Sequence, residues 1–405
     1  AEGASPLPAP CDPATCDPVP CMQLTHDLES LNLSTPSHVT IGAFDGVHRG
    51  HQHLIGSMAR AAHEAGRAAV ALTFDPHPGA LLGRSPVAAL TTLEERAALI
   101  ADLGVDVLVI LRFTPTMAGT PAARFVHLLR RHLHMVELWV GPDFALGHRR
   151  EGNVPFLRQL GEREGFVVQV VEPLQWGGAV VSSTRIRAAL TAGDIEEANG
   201  CLGRPYRLTG QIVPGRGLGR RMGIPTANLS PPPERLIPAN GVYAGYAHTQ
   251  EAGTWPAVVN IGVRPTIAPD HLTVEAHLLD FDGDLYGQTL TLDFIARLRD
   301  EQPFPSLNAL VEQIGRDIAR AREILCSKVI TTKDTKDTKD QENFAPFVPF
   351  ASFAPFTSQY QAEREPEGSS PPSCRSTAKG GQKRRRTSSG AMPRPGGPSG
   401  RGRNA

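Results

Sequence analysis

Apolar strands alternate with amphipathic helices over the first half of the chain. Residues 38–41 predict a short buried strand, and residues 50–65 have the apolar spacing of a helix. Further strands are predicted at 67–74, 105–111, 136–140 and 166–171, with helices at 92–103, 122–133 and 183–198. This repeated order predicts an α/β domain in which helices cover both faces of a doubly wound parallel sheet.

The pattern changes after residue 200. Short strands separated by Gly/Pro turns are predicted at 206–213, 241–248, 257–261, 273–279 and 289–296. Strands of this length and spacing favour a small antiparallel β-barrel. An amphipathic helix over residues 307–325 follows, and we expect the folded body to end near Cys326.

Composition divides the chain into four parts. We expect a disordered extension at 1–36, the α/β domain at 37–200, the barrel domain at 201–326 and a low-complexity, disordered tail at 327–405. Lys+Arg and Asp+Glu both total 41. Residues 328–405 hold fourteen basic and seven acidic residues, so the tail carries +7 and the remainder −7. An acidic body argues against a general nucleic-acid binder, although the tail offers weak contact to polyanions.

Neither the apolar runs nor the cysteines indicate a membrane or secreted protein. No run approaches the roughly 18 apolar residues of a membrane-spanning helix. The first thirty residues lack a basic start followed by an apolar segment, so no secretory signal is predicted. Cys11, Cys16 and Cys21 recur at every fifth residue, which matches no zinc-site spacing. We therefore expect a cytoplasmic protein without a membrane partner.

Residues 41–51 combine glycines and histidines where the first strand meets the first helix. Ligands bind at the carboxyl ends of the strands in an open α/β sheet, and a helix N-terminus attracts phosphate. Backbone can approach phosphate oxygens closely at Gly42, Gly46 and Gly50. His48 and His51 are three residues apart and should project to one side of a helical turn. The segment therefore predicts a two-histidine phosphate site.

The order of these residues resembles a known family. His-x-Gly-His in this setting is similar to the nucleotidyltransferase superfamily. The longer Gly-x-Phe-Asp-Gly-Val-His-x-Gly-His resembles the FMN adenylyltransferase half of bacterial bifunctional riboflavin kinase/FAD synthetase. Three further segments resemble motifs of that family in the expected order: 73–78, 141–152 and 182–187.

The resemblance implies a Rossmann-like nucleotidyltransferase domain and assigns its site residues. It implies catalytic roles for His48 and His51, and flavin binding by Asp143 and Phe144. It implies nucleotide or phosphate contacts for Gly42, Phe44, Gly46, Gly50, Ser183, Thr184 and Arg187. Two departures stand out: Ala43 occupies a position where relatives often carry Asn, and Asn153 one where an acidic residue is common.

A second set of motifs lies in the predicted barrel. A Gly/Arg loop suited to phosphates contains Gly215, Gly217 and Gly219. The continuation Pro225-Thr226-Ala227-Asn228 resembles the riboflavin kinase signature, which implies that Thr226 and Asn228 hold Mg²⁺. A ribityl hydroxyl needs a positioned base, and Glu275 in a matched motif is the candidate. Arg299 completes the motifs as a candidate flavin-binding residue.

Together these motifs imply two ATP-dependent reactions. Riboflavin would be phosphorylated to FMN, and FMN would be adenylylated to FAD with release of pyrophosphate. The expected partners are riboflavin, FMN and ATP, with Mg²⁺ as cofactor. Two alternatives remain at this point: a different small-substrate nucleotidyltransferase joined to an unrelated barrel, and a flavin- or RNA-binding regulator whose catalysis has decayed.

Overall fold

The computed structural model describes residues 22–81, 88–215, 219, 222–249, 251–263 and 272–334, with side chains to residue 326. Predictions for residues 1–21, for Gly217 and for the tail beyond 334 lie outside the described residues. The helices are α1 (Arg49–Glu64), α2 (Pro78–Leu81), α3 (Leu93–Ala101), α4 (Pro115–Ala118), α5 (Ala122–Leu133), α6 (Val154–Glu164), α7 (Ser183–Ala192), α8 (Ile195–Leu202) and α9 (Leu307–Asp334).

The strands fall into an N-terminal and a C-terminal group. The first group is β1 (Gln23–Thr25), β2 (Ser37–Ile41), β3 (Ala68–Asp75), β4 (Val107–Arg112), β5 (Met135–Val140), β6 (Ala145–Leu146), β7 (Gly152–Asn153), β8 (Val167–Val170), β9 (Gln175–Trp176) and β10 (Ala179–Val180). The second is β11 (Tyr206–Val213), β12 (Ala227–Ser230), β13 (Gly241–Thr249), β14 (Gly253–Val263), β15 (Leu272–Leu278) and β16 (Thr289–Arg299).

The predicted doubly wound parallel sheet is confirmed. Its order is β1-β4-β3-β2-β5-β8, and every neighbouring pair is parallel. Alternate residues of β3 enter different cores: Ala69 and Ala71 pack with residues of α1 and α3, whereas Val70 and Leu72 pack with residues of α5 and α6. This two-sided burial explains the nearly continuous apolar runs in the strands.

The direction of strand addition reverses at β2, which lies between β3 and β5. Open α/β sheets bind ligands in the crevice at the carboxyl end of the strand where this reversal occurs. The segment that follows Ile41 therefore occupies the position where the fold creates a binding crevice.

The N-terminal boundary differs from its prediction. Residues 22–36 fell in the predicted disordered extension, but Gln23–Thr25 forms a strand parallel to β4. Leu28 and Leu31 are buried in the core of the sheet. The edge of β4 provides backbone partners for a segment too short to show periodicity, so its order depends on tertiary contacts.

The predicted helix over 183–198 is two helices. Gly193 closes α7 in a left-handed conformation with φ of 79°, and the Asp194 carboxylate caps the N-terminus of α8. The last helix, α9, is longer than predicted and continues to Asp334.

The antiparallel barrel is also confirmed, with one more strand than predicted. It closes in the order β11-β12-β15-β14-β13-β16, and β16 pairs with both β11 and β13. The additional strand is β12, which carries part of the Pro-Thr-Ala-Asn segment. Its two ladders are short, with three partners each in β11 and β15.

Candidate active sites

The first candidate site is the turn between β2 and α1. Three residues of this turn have left-handed backbone conformations: Phe44 (φ 47°), Gly46 (φ 82°) and Val47 (φ 36°). A β-branched residue at positive φ is strained and persists only where surrounding contacts enforce it. Val47 is completely buried, so the contacts around it hold His48 in one place.

The glycines of this turn have packing reasons for being glycine. A Cβ on Gly42 would lie 2.6 Å from the Phe44 ring, and one on Gly50 would lie 3.2 Å from His48. Gly46 combines positive φ with contact to Leu90. The predicted phosphate contacts of these three glycines stay predictions, whereas the close approach of neighbouring side chains is observed.

The two histidines lie side by side, as the spacing predicted. The rings of His48 and His51 stack with centroids 3.6 Å apart and an interplanar angle of 17°. His48 is the N-cap of α1, and its Nδ1 accepts a hydrogen bond from the His51 backbone N–H at 3.3 Å. Burial lowers the pKa of His48 to about 4 and the pKa of His51 well below 6.5. Both rings are therefore neutral at pH 7.

The buried Phe44 ring packs against His51 of this pair. Its side chain is 2% exposed and its ring meets that of His51 edge-on, with centroids 5.3 Å apart. The predicted nucleotide contact is thereby restricted to the backbone of Phe44, because the ring lies in the core.

Asp45 connects the turn to α7 and to the segment before α3. Its carboxylate accepts hydrogen bonds from the backbone N–H groups of Leu90 and Thr91 at 3.0 and 3.1 Å, and pairs with the Arg187 guanidinium. The Ser183 hydroxyl donates to the Asp45 carbonyl at 2.9 Å. Arg187 therefore already has an anionic partner in the protein.

The helix that carries the second nucleotide motif begins at Ser183, the first of its predicted contacts. Ser182 is the N-cap of α7, and its hydroxyl accepts from the Arg185 backbone N–H at 3.2 Å. Thr184 is exposed in the first turn, next to Ser183. The structure thus brings Ser183 and Arg187 to the His48 turn and leaves the Thr184 hydroxyl accessible.

The candidate flavin loop lies between β5 and α6. Asp143 is exposed, and Phe144 is partly buried against the core of the sheet. The Arg150 guanidinium donates to the Asp143 carbonyl at 2.9 Å, which closes the loop. Asn153 serves as the N-cap of α6, its Oδ1 accepting from the Phe156 backbone N–H at 3.1 Å. The side chain of Asn153, one of the two departures named above, is therefore engaged in capping α6.

The second candidate site is a cavity of about 760 Å³ in the barrel domain. It is lined by the predicted kinase residues, namely Gly215, Gly219, Thr226, Asn228, Glu275 and Arg299. Asn228 and Glu275 are direct partners across β12 and β15, and the Thr226 hydroxyl donates to Glu275 Oε2 at 3.4 Å. The loop glycines lie against the same residues, since a Cβ on Gly215 would clash with Asn228.

Arg299 reaches this cavity but is held by an acidic residue of α9. Its Nη2 donates to Asp317 Oδ2 at 2.9 Å, and its guanidinium lies 5.6 Å from the centroid of the Phe304 ring. Asp317 also lines the cavity. The predicted flavin contact of Arg299 would therefore occur beside an ion pair that ties β16 to α9.

Comparison with known proteins matches both parts of this architecture. A family model described as FAD synthetase matches residues 31–185, and one described as riboflavin kinase matches residues 202–325. Bifunctional riboflavin kinase/FMN adenylyltransferase from Pseudomonas fluorescens is 40% identical over 311 residues, which cover 75% of this chain and 98% of that protein. The protein of the same name from Escherichia coli K12 is 38% identical and covers 70% of this chain and 91% of its own length.

The chain belongs to the bifunctional riboflavin kinase/FMN adenylyltransferase family. It combines the FAD synthetase domain and the riboflavin kinase domain of that family in one enzyme. A solved structure described as a macrolide-efflux protein from Streptococcus pneumoniae has the same fold, with a TM-score of 0.69 at 28% identity, and covers 74% of this chain and 98% of its own. Within the described residues, none of the helices meets the length and apolarity that a membrane crossing requires.

Two polar residues of the kinase cavity were absent from the sequence-derived site. Asn260 of β14 pairs in register with Glu275, so three polar residues form a row across β12, β15 and β14. Asp317 lies on the face of α9 that carries Leu310 and Ile314 into the cavity. Both had a signal in the sequence, because each is a polar residue within an otherwise apolar strand or helix face.

The donor set in this kinase cavity fits Mg²⁺. Among the side chains that the structure describes, no three His, Cys, Asp or Glu residues are placed together to hold a metal. Thr226, Asn228 and Glu275 instead offer neutral and anionic oxygens at one place in the cavity. Mg²⁺ prefers hard oxygen ligands and commonly binds through few protein groups together with substrate phosphates.

Proposed function

We propose that this enzyme phosphorylates riboflavin in the barrel domain and adenylylates the resulting FMN in the α/β domain. Each step would consume one ATP, and the products would be FMN with ADP and then FAD with pyrophosphate. The observation that carries the proposal is the presence of two chemically different sites in one chain. One is a neutral histidine pair at a helix N-terminus, and the other is a carboxylate in an oxygen-lined cavity.

The histidine pair suits a reaction with an ionised nucleophile. The FMN phosphate would attack the α-phosphorus of ATP, and the bond to the pyrophosphate oxygen would break. This nucleophile needs no base, so the site has to align it and stabilise charge in the transition state. Each neutral ring carries one N–H that can donate to a phosphate oxygen, and in His48 this is Nε2–H, because Nδ1 accepts from the His51 backbone N–H. The N-terminus of α1 adds backbone donors at the same position.

The remaining contacts of the adenylyltransferase site follow from the positions of the matched motifs. Ser183 and Thr184 would contact nucleotide phosphates from the start of α7, while Arg187 would act through its pair with Asp45. Gly42, Gly46, Gly50 and the Phe44 backbone would line the phosphate turn. Asp143 and Phe144 would hold the flavin from the loop after β5.

Glu275 would be the general base of the kinase reaction. A ribityl hydroxyl has a high pKa, and a carboxylate within hydrogen-bond reach can accept its proton as the oxygen attacks the γ-phosphorus. Gly215, Gly217 and Gly219 would lie along the ATP phosphates, and Arg299 would contact the flavin. The Thr226 hydroxyl, 3.4 Å from Glu275, helps to orient the carboxylate.

Mg²⁺ would be held by Thr226 and Asn228. When bound, this ion neutralises phosphate charge and orients the ATP. The protein side chains keep separate tasks, since Thr226 and Asn228 supply neutral oxygens while Glu275 remains the carboxylate available to the hydroxyl.

We further propose a cytoplasmic location, supported by the free thiols of Cys201 and Cys326. Residues 37–200 and 201–326 would contain the two activities. We propose no nucleic-acid partner, apart from weak contact through the basic tail.

Product chromatography after incubation of the full chain with riboflavin, ATP and Mg²⁺ tests the proposal. FMN followed by FAD is the expected result. FMN without FAD, even when FMN is supplied directly, would contradict the proposed adenylyltransferase site, and Ala43 and Asn153 would be the first positions to restore. Absence of both products would contradict both sites and favour a flavin-binding regulator.

A further inference from the structure

A cation from outside the adenylyltransferase match reaches the His48 turn. Arg204 lies between α8 and β11, within the riboflavin kinase match that begins at residue 202, whereas the FAD synthetase match ends at 185. Its Nη2 donates to the Gly46 carbonyl at 2.7 Å, and its Nη1 donates to the Val47 carbonyl at 3.2 Å. One guanidinium thus holds both carbonyls that directly precede His48.

We propose that Arg204 is a positioning residue for FMN adenylylation, because its guanidinium fixes the strained turn that carries His48. The inference rests on the proposed function of His48 and His51. The segment between α8 and β11, which leads into the kinase barrel, is thereby also a structural part of the adenylyltransferase site.

The strained backbone of the turn explains why the hydrogen bonds from Arg204 are needed. Val47 has φ of 36°, which is unfavourable for a β-branched residue. Its carbonyl accepts from Arg204 and also from Gln52 Nε2 at 2.7 Å, and both donors also reach the Leu202 carbonyl. Two side chains therefore bind α8 to the turn. Without Arg204 the Gly46 carbonyl loses a charged donor, and the turn can relax toward negative φ.

Contacts from the barrel domain also hold the opposite side of the turn. Ala89 donates its backbone N–H to the Glu234 carbonyl at 2.7 Å, and Leu236 donates to the Ala89 carbonyl at 2.9 Å. The next two residues, Leu90 and Thr91, donate to the Asp45 carboxylate. The turn is thus held from the barrel through Arg204 on one side and through this short backbone pairing on the other.

The charge of Arg204 gives the test a second readout. His48 is faced by Arg204, Arg187, Asp45 and the stacked ring of His51, and Arg96 acts on His51. Burial is the largest cause of the low pKa of His48, and the charge of Arg204 lowers it further. Removing that charge should raise the pKa of His48. In a plot of adenylylation rate against pH, the fall in rate on the acid side should then occur at a higher pH.

The experiment compares Arg204→Met and Arg204→Lys with the unmodified full chain, using FMN and ATP for adenylylation and riboflavin and ATP for kinase activity. We expect Arg204→Met to lower the kcat of adenylylation about 10- to 100-fold, because small displacements of catalytic groups have effects of this size. The KM for FMN and the kinase rate should stay within about twofold. Arg204→Lys should keep the acid-side fall in rate at its original pH and recover part of kcat, since it retains the charge without the planar fork.

Asn199→Ala is the matched control. Asn199 joins α8 to the barrel by donating to the Phe294 carbonyl at 2.9 Å and accepting from the Tyr206 N–H at 2.7 Å, without touching the turn. It should lower the unfolding temperature and leave the ratio of the two activities unchanged.

A retained kinase rate shows that a variant is folded. If Arg204→Met does not fold, the adenylylation rate of Arg204→Lys tests the proposal by itself. An unchanged adenylylation rate in the folded variant would overturn the positioning role. So would an equal loss of both activities, or the same selective loss in Asn199→Ala. A lack of FAD formation in the unmodified chain would instead contradict the proposed function.

Discussion

The Arg299 guanidinium donates to the Asp317 carboxylate through Nε at 3.0 Å and Nη2 at 2.9 Å, and so joins the last barrel strand to α9. Asp317 is 6% exposed, and both residues line the kinase cavity. The pair therefore attaches α9 at the wall of the proposed riboflavin site.

Asp317→Ala should destabilise the protein and weaken riboflavin binding. Removal of one partner leaves a largely buried charge uncompensated, which costs about 3 kcal/mol of unfolding free energy. Denaturant unfolding and the KM for riboflavin measure the two effects. Asp280→Asn is the control, because Asp280 binds Arg322 of the same helix in an exposed pair that solvent screens, so its loss should change stability little. Equal effects of the two variants would contradict the structural role of the Arg299 pair.

His51→Ala should remove FAD formation while FMN still accumulates from riboflavin. Loss of one positioned donor to a developing charge lowers kcat about 100- to 1000-fold. His53→Ala is the matched control, since His53 lies on the same helix two residues later and is exposed. Chromatography of flavin products separates the two steps in one reaction. A parallel loss of kinase activity in a folded His51→Ala protein would show that the sites are not independent.

Glu275→Gln should lower the kinase rate and leave FMN adenylylation unchanged. The amide cannot accept the hydroxyl proton, so FMN formation should fall about 100- to 10 000-fold. FMN supplied directly should still be converted to FAD at the unmodified rate. Glu323→Gln, which changes an exposed carboxylate of α9, should leave both rates unchanged. Retention of kinase activity in Glu275→Gln would exclude Glu275 as the base.

Both folds could be predicted from the sequence, and so could the close approach of several residues proposed for each site. Buried parallel strands show as continuous apolar runs, and the glycine–histidine segment directly follows the first of them. The fold at β2 and the paired rings of His48 and His51 were therefore predictable. The row formed by Asn228 and Glu275 also followed from motifs placed on neighbouring strands.

The unpredicted features all depend on contacts between residues far apart in the chain. Strand β1 is three residues long and is ordered by β4, and β12 is defined by short ladders to two other strands. Asp317 meets Arg299 only after α9 packs on the barrel. Arg204 has no local pattern, and its contacts with Gly46 and Val47 span more than 150 residues. Periodicity reports one element at a time, so it cannot show such pairings.

Stability should fall as the pH is lowered from 6.5 to 4, because His48 is kept neutral in the folded state. Burial lowers the pKa of His48 to about 4, while the unfolded chain has the ordinary value of 6.5. Between these values the unfolded state binds more protons, so folding becomes less favourable as the pH falls. Above pH 6.5 His48 is neutral in both states and does not reduce the free energy of unfolding. Near pH 4 it reduces that free energy by about 3 kcal/mol.

Unfolding temperatures of the unmodified protein and of His48→Asn measure this effect. The variant cannot gain the proton, so its unfolding temperature should depend less steeply on pH across this range. His53→Ala again serves as the control and should keep the steep dependence, since an exposed histidine is solvated in both states. Identical pH dependence in His48→Asn and the unmodified protein would mean that the His48 ring is solvated and ionises normally. A neutral donor at pH 7 would then still be available, but burial would no longer be the reason for it.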